Sequence, residues 1–178
     1  YWLKQIEYKN VLGVDISIEQ IELAKKIGIT DVICENLVDF LKNKQGYYDV
    51  IFLRDVLEHF KKEEILELLE LIYKFLKKNG VVIIQLPNAE SPFSGRFRYS
   101  DFTHEISFTE QSIQQVFSIF DFQEVKIYSQ RPIIHGLKSF VRYFLWCCIE
   151  YCLHFYLLIE TGSNKGIFTQ NIIVVAKK

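Results

Sequence analysis

Arg54, Asp55, Glu58 and His59 place four ionisable side chains within six residues. They follow Asp49-Val-Ile-Phe-Leu53, an apolar run of strand character. Ligands of open α/β sheets bind beyond the carboxyl ends of strands, and this cluster exceeds what packing requires. Two carboxylates beside an imidazole can orient a ligand, move a proton or hold a cation. A second group, Arg98-Tyr-Ser-Asp-Phe-Thr-His-Glu105, sets His104 between Asp101 and Glu105. Two further polar residues close short apolar runs. Asp15 ends Val11–Asp15, and Asn36 follows Asp31–Cys34.

The elements that position these groups can be read from the pattern. Ser17-Ile-Glu-Gln20 predicts a capping box opening a helix that Gly28 ends. Leu37 to Asn43 reads as a short helix broken by Gly46. Lys61 to Lys78 predicts a strong helix, with Ile65, Leu68, Leu69, Ile72, Phe75 and Leu76 on one face. Lys74, Lys77 and Lys78 suit its negative end. Val81 to Leu86 is a strand, and a long lid-like loop runs from Pro87 to Phe108. Thr109 caps a helix reaching Phe120, and strands follow at 122–129 and 167–176. The alternation of strands and helices predicts an α/β fold with a mostly parallel sheet and helices on both faces.

From Asp49 to His59, and again from Asn79-Gly80 through Val81 to Asn88, the chain resembles the class I S-adenosylmethionine-dependent methyltransferases. The Asp-Val-Leu-Glu-His loop is similar to the branch of quinone-biosynthesis and polysaccharide-locus enzymes. The likeness extends to Gly13-Val-Asp-Ile-Ser17 and to Arg98–Glu105, and so covers essentially the whole chain. It implies a Rossmann-like fold whose first strand and glycine-rich loop are missing from this sequence. A unit of about thirty residues is therefore expected upstream of Tyr1.

The resemblance implies roles for residues. S-adenosylmethionine would be held by Asp15 and Ile16 at the ribose, an ionised acceptor facing a vicinal diol. Asn36 and Leu37 would meet the adenine, with Arg54 and Asp55 also on the cofactor. Asn36 stands where the family usually has Asp. His104 is the first candidate for the base that removes an acceptor proton, and His59 the second. Glu58, Arg96, Arg98 and Asp101 would contact the acceptor, a small molecule or lipid-linked glycan carrying a hydroxyl. Some quinone-type relatives hold a divalent cation with the Asp55-x-x-Glu58-His59 cluster, but no metal is assigned. The rivals are a non-catalytic scaffold that retains the fold and a nucleotide-binding oxidoreductase, since dinucleotide-binding enzymes use the same strand-end acid.

Composition narrows the remaining classes. The formal charge of −1, from 21 basic and 22 acidic residues, lacks the basic footprint of a nucleic-acid binder. Cys34, Cys147, Cys148 and Cys152 match neither a zinc nor a Cys-x-x-Cys spacing, so free thiols in a reducing cytoplasm are expected. One domain, residues 1–178, is expected, with a helical insertion at 133–166. Residues 137–160 are long enough to cross a bilayer, yet Arg142, Glu150 and His154 interrupt them. A homodimer contact, a peripheral membrane contact and a cover for the chain's own core all remain open for this helix.

Overall fold

The computed structural model describes residues 2–5, 8, 10–43 and 48–178. They form two compact units, 1–46 and 47–178, within the span expected as one domain. The first unit opens with a single helical turn, α1 (Trp2–Gln5). It then pairs β1 (Gly13–Asp15) in parallel with β2 (Val32–Cys34), Asp15 lying opposite Cys34. The connecting helix α2 (Ile18–Lys26) starts where the capping signal predicts, Ser17 Oγ accepting from the Gln20 amide. Beyond it Gly28 takes φ +84°, a left-handed conformation that favours glycine. Helix α3 (Leu37–Asn43) follows β2 and buries Phe40 and Leu41. Gly46, expected to break it, lies outside the described residues.

The second unit is a four-stranded mixed sheet in the order β3 (Tyr48–Arg54), β4 (Leu76–Pro87), β6 (Asn171–Lys177), β5 (Glu124–Ser129). Strand β3 runs parallel to β4, while β6 is antiparallel to both its neighbours. Strands β3, β4 and β5 thus share one direction and β6 is reversed. The pleat sorts the side chains. Val82, Ile84 and Leu86 of β4 pair with Ala176, Val174 and Ile172 of β6, all at zero exposure. Helix α4 (Lys62–Phe75) buries Ile65, Leu68, Leu69 and Ile72, and α6 (Glu110–Phe117) buries Ile113 and Phe117. Truncating one such leucine to alanine costs about 2–5 kcal/mol.

Helix α4 is shorter than the expected span to Lys78. It stops at Phe75, where Leu76 turns extended at φ −68° and ψ 136°; within the start of β4 the chain then bends at Asn79, whose φ is +64°, and Gly80. A Cβ on Gly80 would sit 2.9 Å from the Lys77 carbonyl oxygen, so the turn requires glycine. The lysines expected to complement the helix end also divide differently. Lys77 pairs with Asp49 at 2.8 Å, and this bond holds the Asp49 carboxyl below its ordinary value. The helix carbonyls are met instead by Lys178 Nζ, which donates to Tyr73 O and Leu76 O. The insertion is one helix, α7 (Leu137–Thr161), ended by Gly162 at φ +76°.

Candidate active site

In the first unit, Asp15 and Asn36 stand at the carboxyl ends of the parallel pair β1 and β2. Asp15 is exposed, and its Oδ1 accepts from the Ser17 amide at 2.8 Å. Ile16 beside it is 73% exposed. Asn36 caps α3, its Oδ1 accepting from the amides of Val38 and Asp39 at 2.9 and 3.3 Å. That oxygen is therefore spent on the helix, and the Nδ2 amino group is the part available to donate to a ligand. Leu37 is half-buried.

In the second unit, the end of β3 is built around a strained residue. Asp55 adopts φ +51°, uncommon for a residue with a side chain. Its amide donates to Gln85 O at 3.0 Å, and Gln85 Nε2 donates to both its carboxylate oxygens at 3.3 Å. Arg54 Nε lies 3.6 Å from the same carboxylate. Arg54 and Asp55, expected on the cofactor, thus engage each other and Gln85. Gln130 Nε2 extends the set by donating to Gln85 Oε1 at 3.4 Å.

A single 3₁₀ turn, Leu57–His59, follows. Its carbonyl at Glu58 accepts from the amides of Glu105 and Ile106 at 2.8 and 3.3 Å. These bonds bring residues 58–59 against 103–106, although forty-odd residues separate them in sequence. The His59 and His104 rings meet edge to face, centroids 4.7 Å apart. One ligand atom from each of Glu58, His59 and His104 lies within 4.8 Å of the other two.

The hydrogen bonds at each Nδ1 decide the tautomers. Thr103 Oγ1 donates to Asp101 Oδ1 at 2.7 Å, so it accepts from His59 Nδ1 at 2.9 Å. His104 Nδ1 lies 3.0 Å from the Phe97 carbonyl, which can only accept. In its neutral form each imidazole therefore carries its proton on Nδ1 and presents the lone pair of Nε2. The Asp101 carboxyl is held below its ordinary value by the Thr103 hydroxyl and amide.

Glu58 is the anomaly of the site. It is 1% exposed, and both its carboxylate oxygens are without a hydrogen-bond partner among the described residues. Burial, with the Asp55 charge adding to it, pushes its carboxyl up to about 7. Expected at the acceptor, it lies instead beneath the surface beside the histidines. A buried carboxylate with two imidazoles is also a donor set suited to a divalent transition ion rather than to magnesium. His104, not Asp55, supplies the third member.

The remaining predicted contacts separate. Arg98 braces the loop from within, its guanidinium donating to the carbonyls of His104 and, at 2.7 Å, Glu105. Arg96 is exposed on α5 (Ser94–Arg98). Sequence reasoning missed Thr103 and Gln85. Gln85 was detectable as the one polar residue inside an apolar strand, whereas Thr103 gave no signal apart from its neighbours.

A family model described as methyltransferase domain matches residues 1–127. No curated protein matches the chain. Among solved structures, a SAM-dependent methyltransferase from Archaeoglobus fulgidus aligns with TM-score 0.72 at 24% identity, covering 99% of this chain and 80% of that one. The plantazolicin methyltransferase BamL, in complex with a triazolic desmethylPZN analog and SAH, aligns at 0.62 with 15% identity, covering 100% and 71%. A SAM-dependent enzyme of Thermotoga maritima, described as a possible histamine N-methyltransferase, gives 0.62 and 15%, covering 96% and 73%. At these identities the likeness is one of fold.

Proposed function

Because the chain belongs to the methyltransferase-domain family, we propose that this S-adenosylmethionine-dependent enzyme methylates an acceptor hydroxyl on a sugar or lipid-linked intermediate. The observation that carries the hydroxyl reading is the convergence of Glu58, His59 and His104. An alcohol must lose its proton as it attacks, and a positioned base contributes about 10²–10⁴-fold.

The first unit's residues fit the cofactor. The exposed Asp15 carboxylate is an acceptor-only group suited to a vicinal diol, and Asn36 Nδ2 is a donor suited to a ring nitrogen. S-adenosylmethionine, when bound, supplies an electrophilic sulfonium methyl. The chain's own work is to align the acceptor and receive its proton. His59 is better equipped than His104 for the second task, reversing the order expected from sequence. It is exposed, and the Thr103 hydroxyl that receives its Nδ1 proton is itself backed by Asp101. The growing imidazolium is therefore stabilised through that hydroxyl. His104 orders the loop and packs against the His59 ring.

The test is ligand-induced stabilisation of the complete protein. S-adenosylhomocysteine should raise its melting temperature and NADH should not. Stabilisation by NADH alone would overturn the reading. A second reading is favoured by the orphaned Glu58 carboxylate: the same three groups hold a divalent cation. Zinc or manganese would then raise the melting temperature in parent but not in His104→Ala, and a chelator would abolish turnover. Full activity in chelator removes it.

A further inference from the structure

Helix α7 has two unlike sides. At about 100° per residue, Tyr143, Trp146, Glu150, His154 and Leu157 fall on one of them, and these are the positions drawn towards the protein. Glu150, 5% exposed, pairs with Arg131 at 2.9 Å. His154 Nδ1 is bonded to Asn164 O at 2.6 Å, and its ring meets Phe168 edge-on. The opposite side is exposed and apolar, carried by Phe144, Leu145, Ile149, Tyr151, Phe155 and Ile159. Between Arg142 and Glu160 the only charged residue is Glu150, which is turned inward. The outer side is thus free of charge for the length of 143–159, about 26 Å at 1.5 Å per residue. It covers an arc of about 180°.

Three occupants were left open by the sequence. The outer arc does not cover the chain's own core, because it is exposed. A paired-helix dimer is sealed by a narrow seam, two positions in seven, and an arc of half the circumference is wider than that seam needs. A flat apolar medium matches a half-cylinder. Spanning is excluded by the inner side. Glu150 and His154, at mid-length, are bound to residues 131 and 164 of the same unit, so lipid cannot surround the helix there. The approach to the helix adds two features. Ile133 and Ile134 are exposed, at 81% and 51%. Residues 132–142 contain Lys138 and Arg142 and no acidic residue, a balance that suits anionic headgroups.

We propose that α7 is an in-plane membrane anchor, its outer arc sunk into the interface of an anionic bilayer while its inner stripe stays bonded to the enzyme. Arg142 and Lys138 meet lipid phosphates at the helix start. The site is independent of the acceptor's identity and of the base.

Two measurements on the complete chain test it. The parent should co-sediment with phosphatidylcholine vesicles containing about 30% phosphatidylglycerol, and weaken on vesicles without the anionic lipid. Phe144→Glu with Phe155→Glu should abolish sedimentation while leaving the melting temperature unchanged. Independently, Cys148 and Cys152 are exposed on the outer arc and Cys34 is exposed in the first unit. Vesicles should slow labelling of Cys148 and Cys152 by a water-soluble maleimide by about tenfold or more, with Cys34 unaffected. Three results overturn the proposal. The first is a parent that ignores both vesicle types. The second is cysteine protection that grows with protein concentration in the absence of lipid, which assigns the arc to a second copy. The third is unfolding of the double variant, which makes the arc ordinary core.

Discussion

The two strand ends that carry polar chemistry are held in opposite ways. In the first unit each polar side chain is fixed by its immediate neighbours, Asp15 by the Ser17 amide and Asn36 by those of Val38 and Asp39. Both remain exposed. In the second unit the 3₁₀ turn is held by a loop distant in sequence, through Glu105, Ile106 and Thr103. There a carboxyl is buried with no hydrogen-bond partner among the described residues. Local fixing leaves a group solvated and ready for a ligand. Distant fixing excludes water and shifts the chemistry of whatever is enclosed.

The comparison breaks first at the histidines. His59→Ala should lower turnover by about 10²–10⁴-fold with cofactor affinity nearly unchanged, read by steady-state kinetics and calorimetric titration. If His104→Ala gives that loss and His59→Ala is silent, the base belongs to the loop. Glu58→Gln should then stabilise the fold at pH 8. Between the carboxyl's ordinary 4.5 and about 7 the folded state binds the extra proton, so stability falls as pH rises through that window. Removing the charge should recover up to about 3 kcal/mol at pH 8 and almost nothing below pH 4.5. Urea unfolding of parent and variant at the two pH values measures it, and an equal effect at both would show that Glu58 titrates normally.

The first unit should respond differently. Asp15→Ala should weaken S-adenosylhomocysteine binding by about 1.5–3 kcal/mol, the scale of hydrogen bonds to a charged group, with stability nearly constant. Unchanged affinity would remove Asp15 from the site. Smallest of all, Asn36→Ala should cost about 1 kcal/mol of stability through the lost helix cap, visible in a chemical melt. A loss several times larger would mean that Asn36 is held by more than its own helix.

The same contrast explains what could be read in advance. The Ser17 cap, helix α3, strand β3 and the long insertion are written in spacings of a few residues, and the structure has them where the pattern places them. The strand-end positions of Asp15 and Asn36 were legible for that reason. The end of α4 was not, because Leu76, the last residue of the apolar period, already belongs to β4. The histidine pair was visible as two separate residues, but nothing in the spacing of 58–59 and 103–104 announces that they meet. The burial of Glu58 and the reuse of Arg98 as a loop brace depend on that meeting, so they emerge only with the fold.

The connection from β4 to α6 carries a consequence for exchange kinetics. Its start is tied to its end by Ala89 N to Phe108 O at 2.8 Å, and its middle to the 3₁₀ turn through Glu105 and Ile106. Arg98 links its interior. A segment fastened at that many points opens as a cooperative block rather than fraying residue by residue. In deuterium exchange the amides of Ala89, Glu105 and Ile106 should share one slow rate, set by a single opening event, while Phe102 at the exposed tip exchanges freely.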